Sequence, residues 1–352
     1  MHVRRLLVSG AAIGLLLAAA APVAAHPLKD NEYAVTTLAT GPSPDAALIN
    51  GWGLTRGPTT PWWVADNGTD LSTLYNGAGV KQGLTVAIPE GAPTGTVFNG
   101  SASDFNGDRF LFDGESGKIF GWRGALGTTA EVLNADFADD AVFKGLAIAT
   151  ADVGGGAQQY LYATDFHNGR VVVFDHNAAA RTWPGAFTDP KLPKHYAPFG
   201  IQTLNGMLFV TYAQTQQGSD DERAGQGRGI VDAFAADGTF LGRVASHGQL
   251  NAPWGLAWAP ADFGRFGGDL LVGNFGDGRI NAYRWDGNQW HHDGTLRDAD
   301  GQKLSIDGLW AIAFGGGTTP TSANGLTNEL FFAAGPDDEQ AGAFGKVTAL
   351  VP

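Results

Sequence analysis

The chain has 352 residues, with 22 Lys and Arg against 35 Asp and Glu, and no cysteine. A net charge of −13 excludes nucleic acid and anionic membrane surfaces as natural partners. No disulfide framework is available, and a chain of this length needs none because it can bury a large apolar core.

The first residues read as a secretory signal peptide over 1–25. Arg4 and Arg5 precede an apolar run from Leu6 to Ala21, and small residues lead to a cleavage point near Ala25. The run falls short of the ~20 residues that a spanning helix needs. The expectation is therefore export to the periplasm or the medium, with no integral membrane segment in the mature chain. The Arg4–Arg5 pair leaves the general secretory and twin-arginine routes both open.

Beyond the leader, 52 glycines and only 16% charged residues are far from a helical composition. Glycine disfavours helix interiors and serves the φ > 0 positions of tight turns, so many short strands are expected. From residue 50 one device recurs six times: a residue before Gly, an apolar strand, a second apolar run ending in Asp or Asn, then a Gly turn into a third strand. The first-strand positions Gly53, Gly95, Gly145, Gly200, Gly255 and Ala311 lie 42 to 56 residues apart. Period-2 runs such as "RVVVFD" support strands, and a four-strand repeat of this length is one propeller blade.

The expected fold is therefore all-β: a single six-bladed β-propeller over 26–352, with blades starting near 50, 93, 143, 198, 253 and 309. The last repeat stops before a fourth strand, so "YAVTTLA" at 33–39 is expected to complete it and cover its open edge. A seventh blade would need another copy of the motif. The polar stretch 214–229 cannot supply one and reads as a flexible insertion in the fourth blade.

Seven phrases occurring in order, among them "WVADNGTDLSTLYNGAG", "APWGLAWAP", "LLVGNFGDGRINAY" and "FFAAGPDDEQAGAFG", resemble an uncharacterised bacterial family of exported proteins, some with a C-terminal PEP-CTERM sorting tail. That resemblance implies a propeller related in pattern to NHL repeats, with no established activity. More distantly the pattern is similar to gluconolactonase-like six-bladed propellers, which hold a divalent metal on the axis. In this sequence "INGWGL" sets Asn50 and Trp52 where that family has its early glutamate ligand.

In a propeller the inner-strand starts and the loops after the second strands open on one face. The first set here is Trp52, Thr94, Lys144, Phe199, Trp254 and Trp310. The second includes Asp66 and Asn67, Asp113 and Glu115, Asp165 and His167, Asn274, and Asp337 to Glu339. The ligand-binding face is accordingly placed on Asn50, Trp52, Asp66, Asn67, Lys144, Asp165, His167, Trp254, Asn274, Trp310 and Asp337. Aromatic faces and carboxylates there suit a glycan, a peptide or a matrix component. Each Asp or Asn after a second strand has an alternative role as a turn acceptor for backbone N–H groups, and each tryptophan as a wedge between blades.

Candidate chemistry is sparse. His167 in "TDFHNG", two residues after Asp165, suits a general base whose pKa a nearby carboxylate would raise. Asp66, Asp165, Asn274 and Asp337 are the candidates for a divalent cation such as Ca2+. "GNFGDG" at 273–278 lacks the glycine order of a dinucleotide fingerprint and leads into a strand, so it reads as a hairpin. The sequence thus favours a binding or interaction module using one axial face, with a metal-assisted hydrolase or lyase of lactonase type as the alternative.

Overall fold

A computed structural model describes residues 30–350 except Asp139 and Pro320. The leader expected over 1–25 lies outside the described residues. Among the described residues no helix is long and apolar enough to cross a membrane.

Six four-stranded antiparallel sheets form the blades of a β-propeller. Their inner strands are Gly51–Thr55, Pro93–Phe98, Phe143–Ala151, Tyr196–Leu204, Pro253–Trp258 and Leu309–Phe314. The N-terminal strand Tyr33–Gly41 supplies the outermost strand of the sixth sheet. It pairs antiparallel with Gly342–Ala349, Tyr33 opposite Ala349 and Gly41 opposite Gly342, with an irregularity between Thr37 and Ala39. Closure by this strand follows from the missing fourth strand of the last repeat. Tyr33 also ties the closure to blade five: its hydroxyl donates to the Phe263 carbonyl at 3.1 Å and accepts the Phe266 N–H at 3.2 Å.

The core is divided among the junctions between blades. Because both faces of a blade are covered by its neighbours, the second strands read as continuous apolar runs rather than as an alternation. In Trp62–Asp66, Trp62 and Val64 pack toward the sixth blade with Phe331 and Phe344, while Trp63 and Ala65 pack with Phe110, Phe112 and Phe120 of the second. Each further junction has its own cluster of the same kind.

The repeated glycine marks where inner strands touch. A Cβ on Gly53 would lie 2.3 Å from the Thr94 carbonyl oxygen, one on Gly95 2.2 Å from the Leu146 nitrogen, and one on Gly255 2.5 Å from the Trp310 carbonyl oxygen. Only glycine allows that approach, and the steric reason for the sequence repeat is this ring of contacts. All six inner strands also slip register at the same place, between Gly51 and Leu54 in blade one and between Leu309 and Ile312 in blade six, for example. Such bulges re-aim the side chains they carry, and here those are the residues just before and at the repeated glycine.

Candidate functional site: the axial mouth

The bulges deliver Trp52, Lys144, Phe199, Trp254 and Trp310 to one end of the axis. Trp310 lies at the centre of an aromatic plug. Its ring is sandwiched between Trp52, with centroids 3.7 Å apart and planes within 16°, and Phe275 at 3.9 Å and 18°. Phe199 and Trp254 meet it edge-on at 5.7 and 6.1 Å. The Trp254 indole donates to the Lys144 carbonyl at 2.6 Å and the Trp310 indole to Asn50 Oδ1 at 2.8 Å. Trp52 Nε1 is buried and bonds no protein group among the described residues.

On this plug sits a polar network drawn from several blades. Lys144 is only 2% exposed. Its ammonium is 3.1 Å from Glu115 Oε1 and 4.0 Å from Asp221, and lies 5.3 Å from the Trp52 ring and 5.7 Å from that of Phe166. Two carboxylates and two π faces offset the loss of water around that charge. Asn67 donates to Glu115 Oε2 at 3.1 Å, and Asn50 donates to Asn67 Oδ1 at 3.2 Å and to Glu339 Oε2 at 3.1 Å.

Glu339 reaches Asn50 from an unusual loop. Asp337, Asp338 and Glu339 are three successive non-glycine residues with φ of 57°, 48° and 65°. Each left-handed residue costs roughly 1 kcal/mol or more, a cost that persists where the surrounding structure imposes it and often accompanies function. Burial pushes the Glu339 carboxyl up to about 7, the charge of Glu222 adds to the shift, and Lys144 opposes it. Burial also raises Glu222, again against the pull of Lys144.

The structure thus joins Asn50, Trp52, Asn67, Lys144, Trp254 and Trp310. It does not bring Asp66, Asp165, Asn274 or Asp337 to that point. Asp165 is fully buried and pins its own hairpin, accepting the Asn168 N–H at 3.1 Å, Asn168 Nδ2 at 2.9 Å and Arg170 Nε at 2.9 Å. Asn274 in blade five ties its hairpin to the preceding linker, donating to Asp277 and to the Gln249 carbonyl and accepting the Asn251 N–H. Asp66 is buried with both carboxyl oxygens unpartnered among the described residues, and burial pushes its pKa well above the usual carboxylate value. Asp337 is exposed, its N–H held by Asp307. Among the described residues, no group of three or more His, Cys, Asp or Glu side chains could hold a metal ion.

His167 is paired, though not with Asp165, whose oxygens are already engaged. Its Nδ1 is 2.5 Å from Asp220 Oδ1, and that contact raises the imidazole pKa. His167 lines two clefts beside the mouth, of about 370 and 440 Å³. Asp220, Asp221 and Glu222 all belong to the stretch read above as a flexible insertion. That stretch folds back as a short hairpin, with Thr215 bridged to Glu222 and the Arg223 N–H on the Gln214 carbonyl. These three acids are the residues of the mouth and its clefts that sequence reasoning missed. The signal was positional, because the run follows the second strand of blade four, the slot that Asn67 and Glu115 occupy in blades one and two.

Fold and mouth together define a six-bladed β-propeller whose axis is plugged by aromatics and capped on one face by a lysine–carboxylate–amide network. No family model matches the chain. It is 32% identical over 323 residues to the uncharacterized protein R648 of Acanthamoeba polyphaga mimivirus, covering 86% of this chain and 76% of that one, and it belongs to the family of that protein. The uncharacterized protein L690 of the same virus is 29% identical over 325 residues, with 86% and 81% covered. Among solved structures it is similar to virginiamycin B lyase from Staphylococcus aureus (TM-score 0.51, 13% identity, 91% of this chain and 99% of that chain). It is also similar to the soluble aldose sugar dehydrogenase from Escherichia coli (TM-score 0.54, 12% identity, 90% and 99%). At such identities the likeness is one of fold.

Proposed function

We propose that this protein is an exported binding module, of the bacterial exported type that its sequence phrases resemble, whose axial mouth captures a positively charged group such as a lysine or arginine side chain of a peptide. The observation that carries this reading is the charge balance at the mouth. One buried ammonium, Lys144, pairs with Glu115 and lies 4.0 Å from Asp221, while Glu222 and Glu339 stand within reach of its charge, and burial first and then the neighbouring acids push the Glu339 carboxyl up. An added cation relieves that repulsion. A glycan fits this mouth less well, because Trp310 has both faces covered by other rings and offers none to a sugar.

Calorimetric titration with a tetralysine peptide at pH 8 and low salt tests the reading. Expected is saturable binding that weakens at 0.3 M salt and at pH 6, where Glu339 is protonated, and about tenfold in Glu339→Gln. A tetraglutamate peptide that binds equally well, or no binding of tetralysine, would overturn it.

The alternative of a hydrolase or lyase is favoured by one observation, the His167–Asp220 pair, which leaves Nε2 available as a base in clefts beside the mouth. Turnover of a lactone or aryl ester that is lost in His167→Ala would support it. A metal-assisted form further requires a rise in melting temperature on adding Ca2+.

A further inference from the structure

A cleft of about 520 Å³ lies on the other face, between the outer strands of blades four and five. The third strand of blade five, Ile280–Trp285, starts at the mouth end, so the hairpin from Trp285 to Trp290 closes on the opposite face. Three indoles line the cleft. Trp285 and Trp290 are cross-strand partners with ring centroids 5.4 Å apart and planes at 52°, and Trp258 stands 6.0 Å from Trp290 at 72°. Trp285 is 47% exposed, whereas Trp310 in the plug is fully buried. No two of the three rings stack flat on each other, so ring surface remains for a guest.

The polar lining is of one kind. Asp286 Oδ1 accepts the backbone N–H groups of Asn288 and Gln289, each at 2.8 Å, and its other oxygen contacts His291 at 2.7 Å. This fixes the turn and leaves the Asn288 and Gln289 side-chain amides to the cleft. The fourth wall carries Arg243, whose charge is already balanced by buried Asp232, at 2.9 Å from Nε, and by Asp189. The cleft therefore presents aromatic planes, neutral amides and an already neutralised guanidinium. A guest that satisfies these has an apolar C–H face for the indoles and hydroxyls for the amides. An anionic guest would have to compete with Asp189 and Asp232 for Arg243. A purely aliphatic guest would leave the amides without partners on burial.

We propose that this cleft is a binding site for a neutral saccharide, with sugar rings on Trp285 and Trp290 and hydroxyls on Asn288 and Gln289. The proposal stands independently of the mouth, since no residue is shared. The test is titration of the whole protein, followed by tryptophan fluorescence and calorimetry, with cellohexaose, xylohexaose, laminarihexaose and chitohexaose. Expected is saturable binding of at least one, weakened at least tenfold in Trp285→Ala and in the double variant Asn288→Ala/Gln289→Ala, and unchanged in Glu339→Gln. Trp285 is half exposed and its removal leaves the core intact, so a folded variant is available for the comparison. Failure of all four sugars to bind overturns the proposal. So does binding that persists undiminished in Trp285→Ala, and so does binding of a straight-chain detergent with the same dependence on Trp285 when no sugar binds.

Discussion

The two faces of the propeller use the same residue types in opposite ways. At the mouth, Trp52 and Trp310 are 2% and 0% exposed and cover each other, so their role is structural, and of the polar groups above them the carboxylates of Glu115 and Asp221 meet the solvent. On the far face, Trp285 is exposed and its neighbours meet it at steep angles. The axial opening on that side, about 270 Å³, is lined by Leu54, Leu204, Leu256 and Phe314 with Arg56 as its charged residue, and has no carboxylate in its wall. Availability of a face, rather than residue type, decides what a tryptophan does. Charge separates the two ends of the axis more sharply than hydrophobicity does.

The largest effect that would break this comparison is on stability. Trp310→Ala should cost about 3–5 kcal/mol, because it removes the centre of the plug and the Asn50 bond. Trp285→Ala should change stability by less than about 0.5 kcal/mol. Chemical denaturation of both variants measures the contrast, and equal losses would mean that the two faces are not divided as described.

Next in size is Lys144→Met, which leaves Glu115 without its ammonium. It should cost about 2 kcal/mol and, because Lys144 opposes the upward shift at Glu339, move that carboxyl above its value of about 7. Carbon-13 NMR of the glutamate carboxyls reads the shift directly. The same substitution at Arg56, on the far side of the axis, should leave Glu339 where it is.

The smallest effect is the dependence of stability on pH. Buried Asp113 accepts the Gly95 N–H at 2.6 Å and the Thr94 hydroxyl at 2.9 Å, yet burial still raises it to about 7, as it does Glu339. In the unfolded chain such carboxyls titrate near 4. Between pH ~4 and ~7 the native state therefore binds more protons than the unfolded state, and stability rises as pH falls through that window. His167, raised by Asp220, acts in the same direction. The melting temperature should be higher at pH 6 than at pH 8 by about 2 °C at constant ionic strength; a fall would contradict the assignment.

Much of the architecture was legible because it is written in sterics. Gly53, Gly95 and Gly255 recur where inner strands touch, and a repeat short of one strand required Tyr33–Gly41 to close the ring. The mouth was legible in part, since Trp52, Lys144 and Trp310 mark inner-strand starts. Asp165 and Asn274 share a slot with Asn67, but Asp165 turns into its own hairpin and Asn274 bonds its hairpin and the linker before it. That choice depends on local partners such as Asn168, Arg170 and Asp277, and on a contact across blades such as Asn67 with Glu115. Composition and spacing do not encode it. Glu339 was placed on the mouth face by its slot after a second strand, but its bond to Asn50 was not legible, because that reach depends on three left-handed residues in a row.

The central claim is that the mouth takes a cation at the carboxylates around Lys144. Titration of the Glu339 carboxyl by NMR, with and without saturating tetralysine, tests it at the atom concerned. The account predicts that the carboxyl, at about 7 in the free protein, falls toward the ordinary glutamate range when the peptide is bound. A titration curve that the peptide does not move would contradict it.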